Sequence, residues 1–144
     1  MSDFASDIQS GIASANSADG EWAEIRGILD RLDEALQSAT FGKAKLFLGE
    51  FQNSDDELAL SIADLTERLV IRSTEDERHG RIIAGWRTDR DGGYPIELVY
   101  NFLSLPCGHG DELMKELAEL LRTARVGRIV QGFADGSWRS GQRR

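Results

Sequence analysis

Apolar residues recur along this chain with two periods, and the switches between them mark its elements. Across Tyr94 to Leu103, the side chains of Ile96, Leu98, Tyr100 and Phe102 fall on one side of an extended chain, and those of Glu97, Val99, Asn101 and Leu103 on the other. One face is wholly apolar and the other mixed, which predicts an inner strand with helices over one side. Lys43 to Phe51 predicts a second strand, with Ala44, Leu46 and Leu48 opposed to Phe47 and Phe51. Arg81 to Thr88 sets Ile82, Ala84 and Trp86 against Arg81, Ile83, Gly85 and Arg87, and alternate arginines suit an edge strand. Asp89-Arg-Asp-Gly-Gly93 supplies glycine for a hairpin turn, so 81–88 and 94–103 are expected to run antiparallel. Arg128 to Ala134 predicts a last short strand, followed by a turn at Asp135-Gly136.

The helical period appears three times. Asp19 reads as an N-cap for a helix over 19–40, whose stripe is Trp22, Ile25, Leu29, Leu32, Leu36 and Ala39. Ser54 to Glu57 has the form of a capping box, and Leu58, Ile62, Leu65 and Leu69 then predict a helix over 55–70. That helix extends to about Arg72 unless the β-branched Leu69-Val-Ile-Arg72 peels off as extended chain. After a break at Pro106 to Gly110, Leu113, Met114, Leu117, Leu120, Leu121 and Ala124 predict a helix over 111–126, with acids early, arginines late and Gly127 past its end. Residues 1–18 hold Phe4, Ile8 and Ile12 at helical spacing, but three anchors offset little ordering entropy, and the segment is expected to be mobile.

The order after the first helix is βαββαβ. The fold class read from it is α+β: a ferredoxin-like antiparallel four-stranded sheet with two helices on one face and an extra N-terminal helix. Strands 43–51 and 94–103, the two most apolar, take the middle. The division is a mobile segment 1–18, a single domain 19–138 and a basic tail 139–144, with Trp138, Arg139, Arg143 and Arg144 as a candidate docking end.

Charge narrows the function. Between Glu50 and Glu77 nine acids face only Arg68 and Arg72, so this stretch carries −7 of a chain total of −8. A nucleic-acid binder needs the opposite sign; this field attracts a basic protein. Glu57, Asp64 and Glu67, seven and three apart, share one side of the expected helix and lie beside Glu75, Asp76 and Glu77, making these six the expected partner surface. No apolar run approaches the roughly 18 residues of a membrane span. The first residues lack a basic and an apolar export region, and Cys107 is the single cysteine, so a reducing cytoplasm is the expected compartment.

Chemistry-bearing patterns are few. Cys107-Gly-His109 ahead of a helix could favour a thiolate, yet a metal site there needs two further ligands and His79 is the only other histidine. The loop acids Glu75 to Glu77, Asp89 and Asp91 sit among polar residues, and 89–93 lacks the length and closing glutamate of a calcium loop. No Walker-type glycine loop or Gly-x-Ser-x-Gly elbow occurs. Tyr100 and Phe102 alternate as in RNA-binding sheets, but the basic residues of that signature are missing, and core is the expected place for both rings. The reading is a cytoplasmic, non-enzymatic protein without cofactor or metal that binds a basic protein, as an immunity or antitoxin-type inhibitor does. The alternative is a homodimer with a regulatory or small-ligand role built on outward-facing Glu97 and Asn101, and the remote one a small enzyme using Cys107 and His109.

Overall fold

Helix formation starts earlier than the stripe from Trp22 to Ala39 requires. The computed structural model describes residues 3–53, 56, 65, 67–88 and 93–140, and its first helix, α1, is unbroken over Phe4–Ala39, 36 residues. Its N-cap is Asp3, which accepts from the Ser6 N–H at 3.3 Å, so Asp19 is an interior residue. The alanine-rich, proline-free run before Asp19 propagates a helix that the body-packed half has already nucleated. α1 ends at Thr40, whose hydroxyl donates to the Leu36 carbonyl at 2.9 Å, and Gly42 turns the chain with φ 76°.

Five strands follow: β1 (Ala44–Gly49), β2 (Glu67–Ser73), β3 (Gly80–Thr88), β4 (Ile96–Tyr100) and β5 (Leu103–Cys107). They form one sheet in the order β1-β2-β3-β4-β5, with every neighbour antiparallel. The α+β class and the antiparallel 81–88/94–103 pairing hold, but the ferredoxin-like four-stranded order does not.

Three local events account for the difference. The expected helix 55–70 is strand from Glu67 onward, since the alternation Leu69, Ile71 against Val70 suits β-branched residues better than a helical face; residues 57–64 lie outside the described ones. The expected strand 94–103 is two strands, divided by a two-residue turn at Asn101-Phe102 with φ 51° and 63°. Hairpin twist demands positive φ at both positions. Finally, 128–134 is helical. α2 (Gly110–Leu121) stops at Arg122, and Thr123 caps a new helix, α3 (Ala124–Asp135), by accepting from the Val126 N–H at 3.4 Å. Val126, Ile129, Val130 and Phe133 form its inner stripe. A 3₁₀ turn, Ser137–Ser140, follows.

All three helices pack on one face of the sheet. Ile25, Ile28 and Leu36 of α1, Leu113, Leu117 and Leu120 of α2 and Val126, Ile129 and Phe133 of α3 share a core with Leu69, Ile71, Trp86, Ile96, Leu98 and Tyr100. The opposite face buries Val70, Ile82 and Val99 under Leu65, Phe47 and Phe51. β3, expected at an edge, is central and buried on both sides. β1 is one edge, where the Asp33 carboxylate of α1 accepts the Leu46 N–H at 2.8 Å. β5 is the other, where Pro106 removes a donor from the open side.

A bulge in β3 shapes one end of the sheet. Val70 pairs with Ile82 and Leu69 with Ala84, leaving Ile83 as an extra residue, and β4 pairs with β3 only from Gly85 to Thr88. Asp56, 3% exposed, fills the gap: it accepts the Ile82 N–H at 3.0 Å, Arg81 Nη2 at 3.0 Å and Arg125 Nη2 at 2.9 Å. Arg125, on α3, also donates to the carbonyls of Ile82 and Ile83. A carboxylate holding two guanidinium groups and a strand N–H is costly to remove, because its partners stay behind without it. Asp56→Asn is therefore expected to lower stability by about 2–4 kcal/mol in urea unfolding, well beyond the effect of Asp76→Asn in an exposed loop. Equal effects for the two would show that the Asp56 cluster is not structural.

Candidate functional site

The expected acidic surface is dispersed by the fold. Glu57 and Asp64 lie outside the described residues. Glu67 opens β2 opposite Trp86, half-buried, while Glu75, Asp76 and Glu77 follow the other end of that strand, roughly 20 Å away. The loop acids have local cationic partners. Asp76 accepts from the Arg78 side chain at 3.2 Å, from the Arg78 backbone N–H at 3.0 Å and lies 2.9 Å from His79 Nδ1. The Arg78 guanidinium and N–H, together with His79, hold the Asp76 carboxyl down at about 2. Glu77 reaches Lys45 at 3.7 Å and Arg72 at 3.9 Å, and Arg72 stacks over Phe47 at 3.9 Å. His79 packs on Trp138 with ring centroids 4.9 Å apart, and Trp138 on Phe133 at 5.4 Å, so Trp138 closes the body of the domain.

Cys107 and His109 serve separate local purposes. Cys107 ends β5 fully buried, and burial, followed by the charges of Glu116 and Glu112, pushes its thiol up to about 11. His109 is the N-cap of α2: its Nδ1 accepts from the Glu112 N–H at 3.4 Å, while the Glu112 carboxylate accepts the Gly108 N–H at 2.7 Å. His109 and Glu112 thus cap the helix reciprocally, as in a capping box shifted by one residue at its backbone donor. Among the described residues no group of three or more His, Cys, Asp or Glu could hold a metal ion. Glu97 is taken up by Arg87 at 3.2 Å and by the Ser104 hydroxyl, which donates at 2.5 Å and is the chief reason its carboxyl titrates below the usual range. Tyr100 is in the core as expected. Phe102 is exposed at the β4–β5 turn, because the twist there turns it out of the strand.

What the fold leaves open is the N-terminal half of α1. Residues 4–20 extend past the body for about 25 Å at 1.5 Å per residue, and every one is exposed except half-buried Ala18. Phe4, Ile8 and Ile12, 75%, 62% and 49% exposed, form an apolar row along this arm, turned by roughly a fifth of a turn from the face with which Trp22, Ile25, Leu29 and Leu36 bind the sheet. The base of the arm is pinned. Glu21 accepts the Tyr94 N–H at 2.9 Å and approaches Gly93, whose φ of 78° favours glycine; Glu24 accepts the Tyr94 hydroxyl at 2.5 Å and lies against Gly110. The arm is also anionic: residues 1–25 hold Asp3, Asp7, Asp19, Glu21 and Glu24 and no lysine or arginine.

A second open feature is an apolar groove between α1 and α2. Ile28, Leu32, Met114, Leu117 and Leu121 line about 270 Å³, with Arg31 at the rim. Arg31 donates from Nη2 to the Met114 sulfur at 3.7 Å. Met114 and Leu121 are each 39% exposed. The i, i+4, i+8 spacing of the arm is visible in the sequence; the groove is not, because it arises where α2 packs alongside α1.

No family model, curated protein or solved structure matches the chain. No helix among the described residues is long and apolar enough to cross a membrane.

Two titrations follow. Cys107, raised from 9.0 to about 11, favours the folded state fully below pH 9, and that contribution is lost as pH rises through 11; Asp76, lowered from 3.8 to about 2, contributes above pH 3.8 and loses its share as pH falls through 2. At pH 8 the native protein is expected to react with a thiol reagent far more slowly than the urea-unfolded chain. Equal rates would contradict the buried thiol.

Proposed function

We propose that this protein is a non-catalytic protein-binding domain with the N-terminal arm of α1 as its recognition element. The observation that carries the reading is the row Phe4, Ile8 and Ile12, exposed on a helix that runs beyond its own core. Large apolar side chains set four residues apart over a little more than two turns form a contiguous patch that water disfavours, and anchors spaced along one helix face are how a helix enters an apolar groove. The buried, protonated thiol of Cys107 lends no support to an enzyme. A small-ligand role draws little from the 270 Å³ groove, which offers one cationic group and lies below the roughly 300–1,000 Å³ of typical small-molecule sites.

An inhibitor of a basic protein, of immunity or antitoxin type, fits within this proposal. Its support is the net charge of −8 and an arm that, with its cap, carries Asp3, Asp7 and Asp19 and no base; the 75–77 loop adds less than its composition suggests, since Asp76 and Glu77 are engaged by Arg78, His79, Lys45 and Arg72. The test is a photo-cross-linking amino acid placed in cells at position 8 or, as a control, at exposed position 78. Adducts with protein are expected at 8 and not at 78. If neither position yields adducts, or both do equally, the arm is not a recognition element.

A further inference from the structure

α1 is a single helix with two kinds of support. From Glu21 onward it is held by the rest of the domain: Glu21 and Glu24 accept the Tyr94 N–H and hydroxyl, and Trp22, Ile25 and Ile28 pack into the core. From Phe4 to Gly20 no residue is buried, so the order of this stretch depends on local helix energetics. We infer that residues 4–20 are a separately opening unit, leaving and rejoining the helix while it stays in place from Glu21, and that engagement of Phe4, Ile8 and Ile12 draws the unit closed. The second half rests on the arm being a recognition element; the first does not.

Local support is uneven along the arm. At its tip, Asp3 caps the first turn, and Phe4–Ile8 and Ile8–Ile12 are apolar pairs at i, i+4. From Ala13 to Gly20 the apolar side chains are alanines alone, and Ser14, Asn16, Ser17, Asp19 and Gly20 are all weak helix formers. Residues 1–25 hold no lysine or arginine, so no acid–base pair bridges a turn there. Even a good helix former extends a helix by a factor of at most about 1.6. Serine, asparagine and aspartate do so roughly two- to threefold less well than alanine, and glycine roughly fivefold less well, which puts all five factors below one. Once 14–20 opens, the tip has to start a helix afresh at a factor of about 0.001, so the arm opens as a whole. Only in the helix do its three anchors share a face. A partner that grips the row therefore binds the closed state and shifts the equilibrium toward it, and residues the partner never touches set part of the affinity.

Residue-by-residue amide exchange of the purified full chain tests the opening. Protection under about tenfold is expected over 4–20 and above about a thousandfold over 25–36. The Ser14→Ala, Asn16→Ala, Ser17→Ala, Gly20→Ala variant adds helix preference without touching a buried residue, and Gly20 has open space around it. It is expected to raise arm protection at least about threefold, to strengthen the helical circular dichroism and to leave the urea midpoint unchanged. With the photo-cross-linking amino acid at position 8, the adduct yield is expected to rise roughly twofold or more in that variant. Equal protection over 4–20 and 25–36, or an arm indifferent to the four alanines, overturns separate opening. Adducts whose yield the alanines leave unchanged overturn the link between closing and engagement. Absence of adducts in both proteins overturns the recognition reading and that link together, while the exchange data decide the opening on their own.

Discussion

A strand that outruns its neighbour must find other partners for its backbone, and the organisation of this domain turns on that constraint. β3 continues past the end of β4 and is bulged at Ile83, which leaves the Ile82 N–H and the carbonyls of Ile82 and Ile83 without a ladder. Burying such groups unpaired costs about 1–3 kcal/mol each. Asp56 takes the N–H, Arg125 takes the carbonyls, and the two side chains bond each other, so the same set of contacts that completes the sheet anchors α3 to it. Arg81 supplies a further charge to Asp56 from the exposed side. With α3 fixed across the sheet, Phe133 and Trp138 close the end of the core over His79.

Strand positions were legible where alternation and burial coincide: 43–51 and 81–88 correspond to β1 and β3, and the antiparallel pairing of 81–88 with 94–103 is legible too, whereas β2, the partner of β1, reads as helix in the sequence. The topology was not: Glu67 to Ser73, which reads as the end of a helix, is a strand, and two turns carry no glycine or proline at the reversal. Asn101-Phe102 adopts a conformation that asparagine tolerates and phenylalanine resists, so the sequence shows one strand where hairpin twist makes two. Arg122-Thr123 separates two helices that a single stripe through Leu121 and Ala124 joins on paper; the threonine hydroxyl, by capping Val126, decides otherwise. Missing the first turn removes a strand, and missing the second converts a helix into one.

The candidate site was legible as spacing without consequence. Phe4, Ile8 and Ile12 have helical period in the sequence, but whether three anchors order a segment depends on what precedes and follows them, and here a body-packed helix continues into them without a break. The acids misled in the opposite direction. Composition counts charges, whereas the field at a surface depends on their nearest neighbours, and Arg72, Arg78, Lys45 and Arg125 are brought from outside or from the margins of the acidic stretch to meet Glu77, Asp76 and Asp56.

The meander has a kinetic side. Connections of 6 residues between β2 and β3, 7 between β3 and β4 and 2 between β4 and β5 close small loops, while 17 residues separate β1 from β2. Loop-closure entropy makes the last of these about 1 kcal/mol dearer than the 6-residue closure. β2 to β5 thus pair on local contacts that favour fast assembly, while β1, with α1 attached four residues away, pairs across the longest connection in the sheet. The helix from which the arm projects therefore enters the domain next to its longest connection, and Ile25, Ile28 and Leu36 tie it to the hairpins beyond that connection.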